Sequence, residues 1–264
     1  MSRIREAFAR LKHSGRGGFI PFITAGDPDL QTTKLLLIEL AAAGADIIEV
    51  GVPFSDPVAD GEVIQRASER ALRNGVAVTD VLACIGNANQ HIDVPVVLFS
   101  YFNPLLQFGP ERLIAEAKHV GADAILVTDL IPEEAGAWID ILGTAGIEPI
   151  FLVAPTTSDE RLERIARHAR GFIYAVSRAG VTGARDQMTR DAEALVKRVR
   201  RVSDLPVAVG FGISTAEHVW QVWRFADAAV VGSAIVRELE KLSGRQDLVK
   251  RIGTFARSLV GAAP

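Results

Sequence analysis

The chain has 264 residues, 48% of them hydrophobic, which suffices to close one large core. A formal charge of −3 is spread over 29 basic and 32 acidic residues without a basic block, which leaves out a nucleic-acid footprint, and a single cysteine, Cys84, leaves out an internal disulfide or a thiolate zinc site. The opening MSRIREAFARLK lacks a signal-peptide apolar stretch and no 18-residue apolar run follows, so the expectation is a cytoplasmic protein with no membrane span.

In chain order, MSRIREAFARLK reads as an amphipathic helix and GFIPFITAG from Gly18 as a first strand. DLQTTKLLLIELAAAG, with apolar residues at i, i+3, i+4 spacing, precedes ADIIEVGV from Ala45. EVIQRASERALRNG leads toward PVVLFSY from Pro95, and PERLIAEAKHVG toward ADAILVTD from Ala122. EPIFLVA from Glu148, SDERLERIARHA, GFIYAVS from Gly171, DAEALVKRVRRV, PVAVGFG from Pro206 and DAAVVGS from Asp227 complete the series. Eight short Val/Ile-rich strands alternating with helices predict the α/β class. The arrangement expected is a single (β/α)8 TIM barrel over residues 1–264, its N-terminal helix capping the bottom, since an open doubly wound sheet needs fewer strands.

Active sites of such barrels form at the strand C-termini. Glu49 stands in one such tail, on the same face as Ile47 and Gly51, and that face is either the lumen or the helix layer. As a strand-end ion pair it would be structural; in the lumen, burial would lift its pKa toward that of a group that gives and takes a proton near neutrality. Asp60 precedes Gly61 and the helical run from Glu62, so local sequence reads it as an N-cap, and Asp56 in Ser-Asp-Pro reads as a turn residue. The seventh strand ends in Gly210, Phe211 and Gly212 and the eighth in Gly232 and Ser233, each followed by a helix, the habitual place for a phosphate on backbone N–H groups. SRAGVTGARDQMT, with Gly180 and Gly183, is long enough for a lid. The five histidines lie in or beside helices and form no metal cluster or triad, while Cys84, Ser177, Trp138, Trp220 and Trp223 read as structural.

With PFITAGDP, IIEVGVPFSDPVADG, SYFNPLLQFG, VTDLIPEEA, SRAGVTG, VGFGIS and VVGSAIV in place, the chain resembles the tryptophan synthase alpha subunit family from end to end. The resemblance implies cleavage of indole-3-glycerol phosphate, a sugar phosphate, to indole and glyceraldehyde 3-phosphate without a cofactor in this chain. It also implies a pyridoxal-phosphate-dependent beta subunit as partner in an αββα heterotetramer. By similarity Glu49 handles the proton transfers and Asp60 accepts a hydrogen bond from the indole nitrogen. Phe22, Tyr101 and Leu126 or Thr128 line the indole pocket; Tyr174 and Thr182 correspond to the inner tyrosine and lid threonine. Gly183, Phe211, Gly212, Gly232 and Ser233 hold the phosphate, and a rim of Pro53, Asp56, Pro57, Asn103, Pro104 and Pro132 suits docking. A stand-alone lyase, another phosphosugar barrel and a non-catalytic sugar-phosphate-binding barrel are the alternatives; Thr24 and Val153, where isomerases need an acid and a base, weigh against the second, and the intact Glu49 and Asp60 against the third.

Overall fold

Helix α1 (Arg3–Ser14) starts at Ser2, whose side chain accepts from the Arg5 amide, and stops at Gly15, which takes the left-handed conformation that ends helices. In this computed structural model, which describes residues 2–176, 185–210 and 212–261 and only the backbone of 185–189, nineteen further elements follow. They are β1 (Gly18–Thr24), α2 (Leu30–Ala42), β2 (Ile48–Gly51), α3 (Glu62–Arg73), α4 (Val78–Asn89), β3 (Val96–Ser100), α5 (Phe102–Phe108), α6 (Pro110–Val120), β4 (Ala124–Val127), α7 (Gly136–Ala145) and β5 (Glu148–Val153). The second half adds α8 (Asp159–His168), β6 (Ile173–Val176), α9 (Arg185–Val199), β7 (Val207–Gly210), α10 (Ala216–Trp223), β8 (Ala228–Val231), α11 (Ser233–Leu242) and α12 (Leu248–Val260).

The eight strands pair in parallel and close in sequence order, β8 returning to β1. The expected TIM barrel is therefore present, with α4, α5 and α12 beyond one helix per strand. Because side chains alternate along a strand, one set of residues fills the lumen (Ile20, Ile47, Val97, Leu126, Ile150, Tyr174) and the other (Phe19, Ile48, Leu98, Ile125, Phe151) packs under the helices. Ile4, Ala7, Phe8 and Leu11 of α1 close the lumen from below, with the Phe8 and Phe172 rings 5.7 Å apart. This is the bottom cap that the sequence predicts.

Carboxylates brace the bottom rim. Asp46, just before β2, accepts from the Phe19 amide at 2.8 Å; Asp123 and Asp227, before β4 and β8, accept from Val96 at 2.9 Å and Val207 at 2.8 Å. Each satisfies an amide at the start of the preceding strand, fixing that strand to the next one along. Arg16, Arg3 and Arg200 pair with the same three carboxylates.

Candidate active site

Register places Phe22 of β1 opposite Glu49 of β2, and Glu49 opposite Val97 of β3. Val97 and Ile47 belong to the lumen set, so Glu49 points into the lumen. It is 0% exposed and neither carboxylate oxygen has a hydrogen-bond partner among the described residues. Among the described residues no ion pair accounts for this residue. Desolvation raises the carboxyl pKa to about 8. The buried Thr24 hydroxyl, next on the lumen face of β1, is likewise without a partner among the described residues. Three unmatched oxygens stand on the lumen face of neighbouring strands, Thr24 one layer above Glu49, and such buried, unpaired groups suit a polar ligand.

Asp60 does not cap α3: the cap position is Gly61, with no side-chain bond, which corrects the reading from local sequence. It stands instead at the end of the loop after β2, tied down by neighbours. Tyr101 holds that loop by accepting from the Ala59 amide at 2.9 Å, and Gln65 of α3 donates to the Asp60 carbonyl at 2.9 Å. Burial lifts the Asp60 carboxyl to about 6, against the downward pull of the facing Tyr101 hydroxyl. Tyr174, on the far side of the lumen in β6, keeps its proton to well above the ordinary pH of a phenol because it is buried and feels the charges of both Glu49 and Asp60. One lumen mouth thus gathers Glu49, Asp60, Tyr101 and Tyr174.

Apolar walls complete it. Phe22 meets Phe99 of β3 edge to face, with centroids 5.1 Å apart, and Tyr101 lies against Phe54 at the same distance. Of the pair Leu126 and Thr128, both face inward; Leu126 is fully buried in the lumen core, whereas Thr128 is half-buried above it and donates to the Ser100 carbonyl at 3.3 Å. Phe99, Phe54 and Gln65 escape sequence reasoning, although the lumen parity of Phe99 is a signal that could have found it. Gly210 has a steric reason of its own: a Cβ there would stand 2.2 Å from the Tyr174 hydroxyl oxygen, so its bareness makes room for that ring.

The phosphate side is described in part. Gly232 leads into α11, which starts at Ser233 with no side-chain cap, and Gly212 takes φ +69 after β7. Uncapped first-turn amides at a helix N-terminus suit an anion. Thr182, Gly183 and Phe211, and with them most of the expected lid, lie outside the described residues. Of the expected docking rim, Asp56 and Asn103 are exposed and Pro57 and Pro104 half-buried, but Pro53 and Pro132 are buried and present no face. No group of histidine, cysteine and carboxylate suited to a metal ion occurs among the described residues, and none of their helices is long and apolar enough to cross a membrane. The buried Cys84 thiol is pushed up to about 11, Trp138 packs against Phe102, and Trp223 donates to the Gly18 carbonyl.

Comparison with known proteins gives one answer. Residues 8–263 match the family described as tryptophan synthase alpha chain. The protein of that name from Citrifermentans bemidjiense is 47% identical over 259 residues, covering 98% of this chain and 97% of its own. Among solved structures, tryptophan synthase subunit alpha from Legionella pneumophila superposes with a TM-score of 0.91 at 38% identity, covering 98% of this chain and 97% of its own. A chain of the Pyrococcus furiosus tryptophan synthase a2b2 complex, described for its mutual activation, gives 0.87 at 40% identity, with 93% and 98% covered.

Proposed function

The chain belongs to the tryptophan synthase alpha chain family, and from that premise we propose that Glu49 and Asp60 are the two carboxyl groups through which it cleaves indole-3-glycerol phosphate. The enzyme is a lyase that forms indole and glyceraldehyde 3-phosphate, has no cofactor of its own and works with a beta subunit, which holds the pyridoxal phosphate. A cytoplasmic setting suits this biosynthetic role, and residues 1–264 act as one barrel domain.

One observation carries the assignment. Two carboxyl groups open on the same lumen mouth, and their surroundings hold one protonated and leave the other ionised at neutral pH, since Glu49 titrates at about 8 and Asp60 at about 6. Glu49 then gives its proton to carbon 3 of the indole ring, creating positive charge that spreads to the ring nitrogen. The Asp60 carboxylate accepts a hydrogen bond from that N–H, stabilising the charge as it develops. Glu49, now ionised, takes the proton of the hydroxyl next to the breaking bond. That oxygen becomes the aldehyde carbonyl, the carbon–carbon bonding pair returns to the ring, and Glu49 ends with the proton it began with.

Phe22, Tyr101, Thr128 and Tyr174 wall the indole and Thr182 serves as the lid threonine, while Gly183, Phe211, Gly212, Gly232 and Ser233 take the phosphate. The docking face is supported by its apolar residues: Val58 is 87% exposed, Leu106 45% and Ile131 36%, and they follow the adjacent strands β2, β3 and β4. Exposed apolar residues gathered on one rim suit a partner. Ser233→Asp tests the phosphate end. A negative charge at the N-terminus of α11 should weaken indole-glycerol phosphate and glycerol phosphate by at least about a hundredfold with the circular-dichroism spectrum kept. Unchanged affinity for both would move the phosphate elsewhere.

A further inference from the structure

The helix that follows the Asp60 loop and the helix that would take the phosphate are joined by an ionic cluster. Arg70, two turns into α3, grips Asp27 with two prongs, Nε to Oδ1 at 2.7 Å and Nη2 to Oδ2 at 2.9 Å. Its remaining terminal nitrogen, Nη1, donates to Glu240 of α11 at 2.8 Å. Arg66, one turn earlier on the same helix face, binds Glu240 with two further contacts at 2.8 Å. Asp27 is 3% exposed in the loop that leaves β1, so its charge is matched almost wholly by this one guanidinium. That loop is also seated on the C-terminal cap of α3 and the residues just beyond it. The Asn74 amide donates to the Pro28 carbonyl at 2.7 Å, and Gly26, at φ +84, sits so close that a Cβ would meet Val76 at 2.5 Å.

Each of the three segments that meet at Arg70 carries or adjoins one proposed substrate contact. β1 carries Phe22, α3 starts two residues after Asp60, and α11 starts with Ser233. On the lumen side the same elements are wedged by Phe22, Ala67 and Val236, with Val63 and Ile64 against them. An apolar wedge sets how near the helices come but resists sliding weakly. A forked guanidinium bonded to two carboxylates on different elements fixes direction as well as distance.

We infer that Arg70 is a positioning residue of the cleavage reaction: through Asp27 and Glu240 it holds the Asp60 loop, the indole wall and the phosphate helix in register, so that a substrate bound at both ends meets Glu49. This rests on the site reading above. It has a consequence that a mere stability brace lacks. A substrate spanning both ends must find them in register, whereas a fragment touching one end need not.

Arg70→Lys keeps the positive charge and removes the fork. In the full-length chain, kcat/KM for indole-glycerol phosphate should fall at least about tenfold, mostly in kcat, while glycerol phosphate and indole, as the two half-substrates, bind within about twofold of the parent. Glu240→Gln, which leaves the Asp27 pair intact, should give the same pattern more weakly and serves if the lysine variant does not fold. Parent-like kcat/KM in both variants overturns the inference, as does parallel loss of substrate and fragments, which would show a collapsed site in place of a misregistered one. Glu49→Gln assayed alongside separates the two readings. Normal turnover there withdraws the site itself, whereas its loss beside an active Arg70→Lys withdraws only the role of Arg70.

Discussion

Two buried glutamates face the same lumen from opposite ends, and they are treated differently. Glu148 opens β5 at the bottom, 7% exposed, where Ser2 donates to Oε1 at 2.8 Å and the Arg5 guanidinium lies 3.3 Å from the same oxygen, Oε2 alone being without a partner among the described residues. Glu49 closes toward the top with no partner among the described residues for either oxygen. The same contrast runs around the rims. At the bottom Asp46, Asp123 and Asp227 each combine a strand amide with an arginine, whereas at the top Glu49 and Thr24 are left unmatched. A carboxylate supplied with donors braces the fold; one buried without them keeps a proton and can move it. The barrel separates the two purposes along its axis.

Replacing one carboxyl oxygen of each glutamate by an amide breaks the comparison most sharply. Glu49→Gln keeps shape and takes away proton transfer, so turnover should fall by roughly 10²- to 10⁴-fold with substrate affinity largely kept, while Glu148→Gln should leave turnover within about twofold. Steady-state indole release from the two purified variants decides it. Comparable losses in both would mean that the bottom of the barrel participates in the chemistry.

Stability should move the other way. An unfolded chain gives up the Glu49 proton near its ordinary 4.5, whereas the folded chain keeps it to about 8. Between those values the folded state binds more protons than the unfolded one, so the parent loses stability as pH rises through that window and levels off above it. Glutamine does not titrate. Glu49→Gln should therefore gain on the parent from about pH 5 to about pH 8, by on the order of 2–4 kcal/mol, and gain little below that window. Urea midpoints at the two pH values measure this. Glu148→Gln should instead cost up to about 1 kcal/mol, the loss of a pair with a half-exposed arginine. A parent that gains on Glu49→Gln as pH rises would mean that Glu49 is held ionised by a partner.

Much of this architecture is legible in the chain. The eight strands announce themselves because a parallel strand is covered on both faces and so reads as a continuous Val/Ile run. The helix MSRIREAFARLK shows its lumen-sealing stripe, later seen as Ile4, Ala7, Phe8 and Leu11. The aspartates that brace the bottom stand at or beside strand starts in the sequence, as Asp46, Asp123 and Asp227 do, but nothing local says which amide they bind. Asp60 misleads for the same reason, since an aspartate before a glycine and a helix looks like a cap until Gly61 takes the place. That Gly210 also makes room for Tyr174, far off in sequence, is hidden in the same way. The meeting of Asp27, Arg70 and Glu240 is invisible to any window, because its partners lie 43 and 170 positions apart. Periodicity reports which side of an element is covered; the identity of what covers it belongs to the closed barrel.

The smallest effect expected concerns the rim and sharpens the comparison at its top end. The loop between β2 and α3 holds Asp60 at one end, fastened by Tyr101 and Gln65, while its outer part, with Ser55, Asp56 and the 87%-exposed Val58, stands free of the barrel. Asp56 is exposed, and its carbonyl accepts from the Val58 amide at 2.9 Å, so it and Val58 form one short turn four residues before Asp60. A beta subunit docking on that turn would act on Asp60 through a loop already anchored at its far end, changing the position of the carboxylate without touching Glu49. Activation by the beta subunit should therefore be about tenfold or more, equivalent to roughly 1.4 kcal/mol of barrier. Asp56→Ala should lose most of it while leaving the basal rate of the isolated chain intact. Rates with and without the beta subunit, for parent and variant, measure all four corners. If Asp56→Ala is activated as fully as the parent, the turn is a bystander and the partner must reach the site by another loop; if the basal rate falls as well, Asp56 shapes the Asp60 loop on its own account.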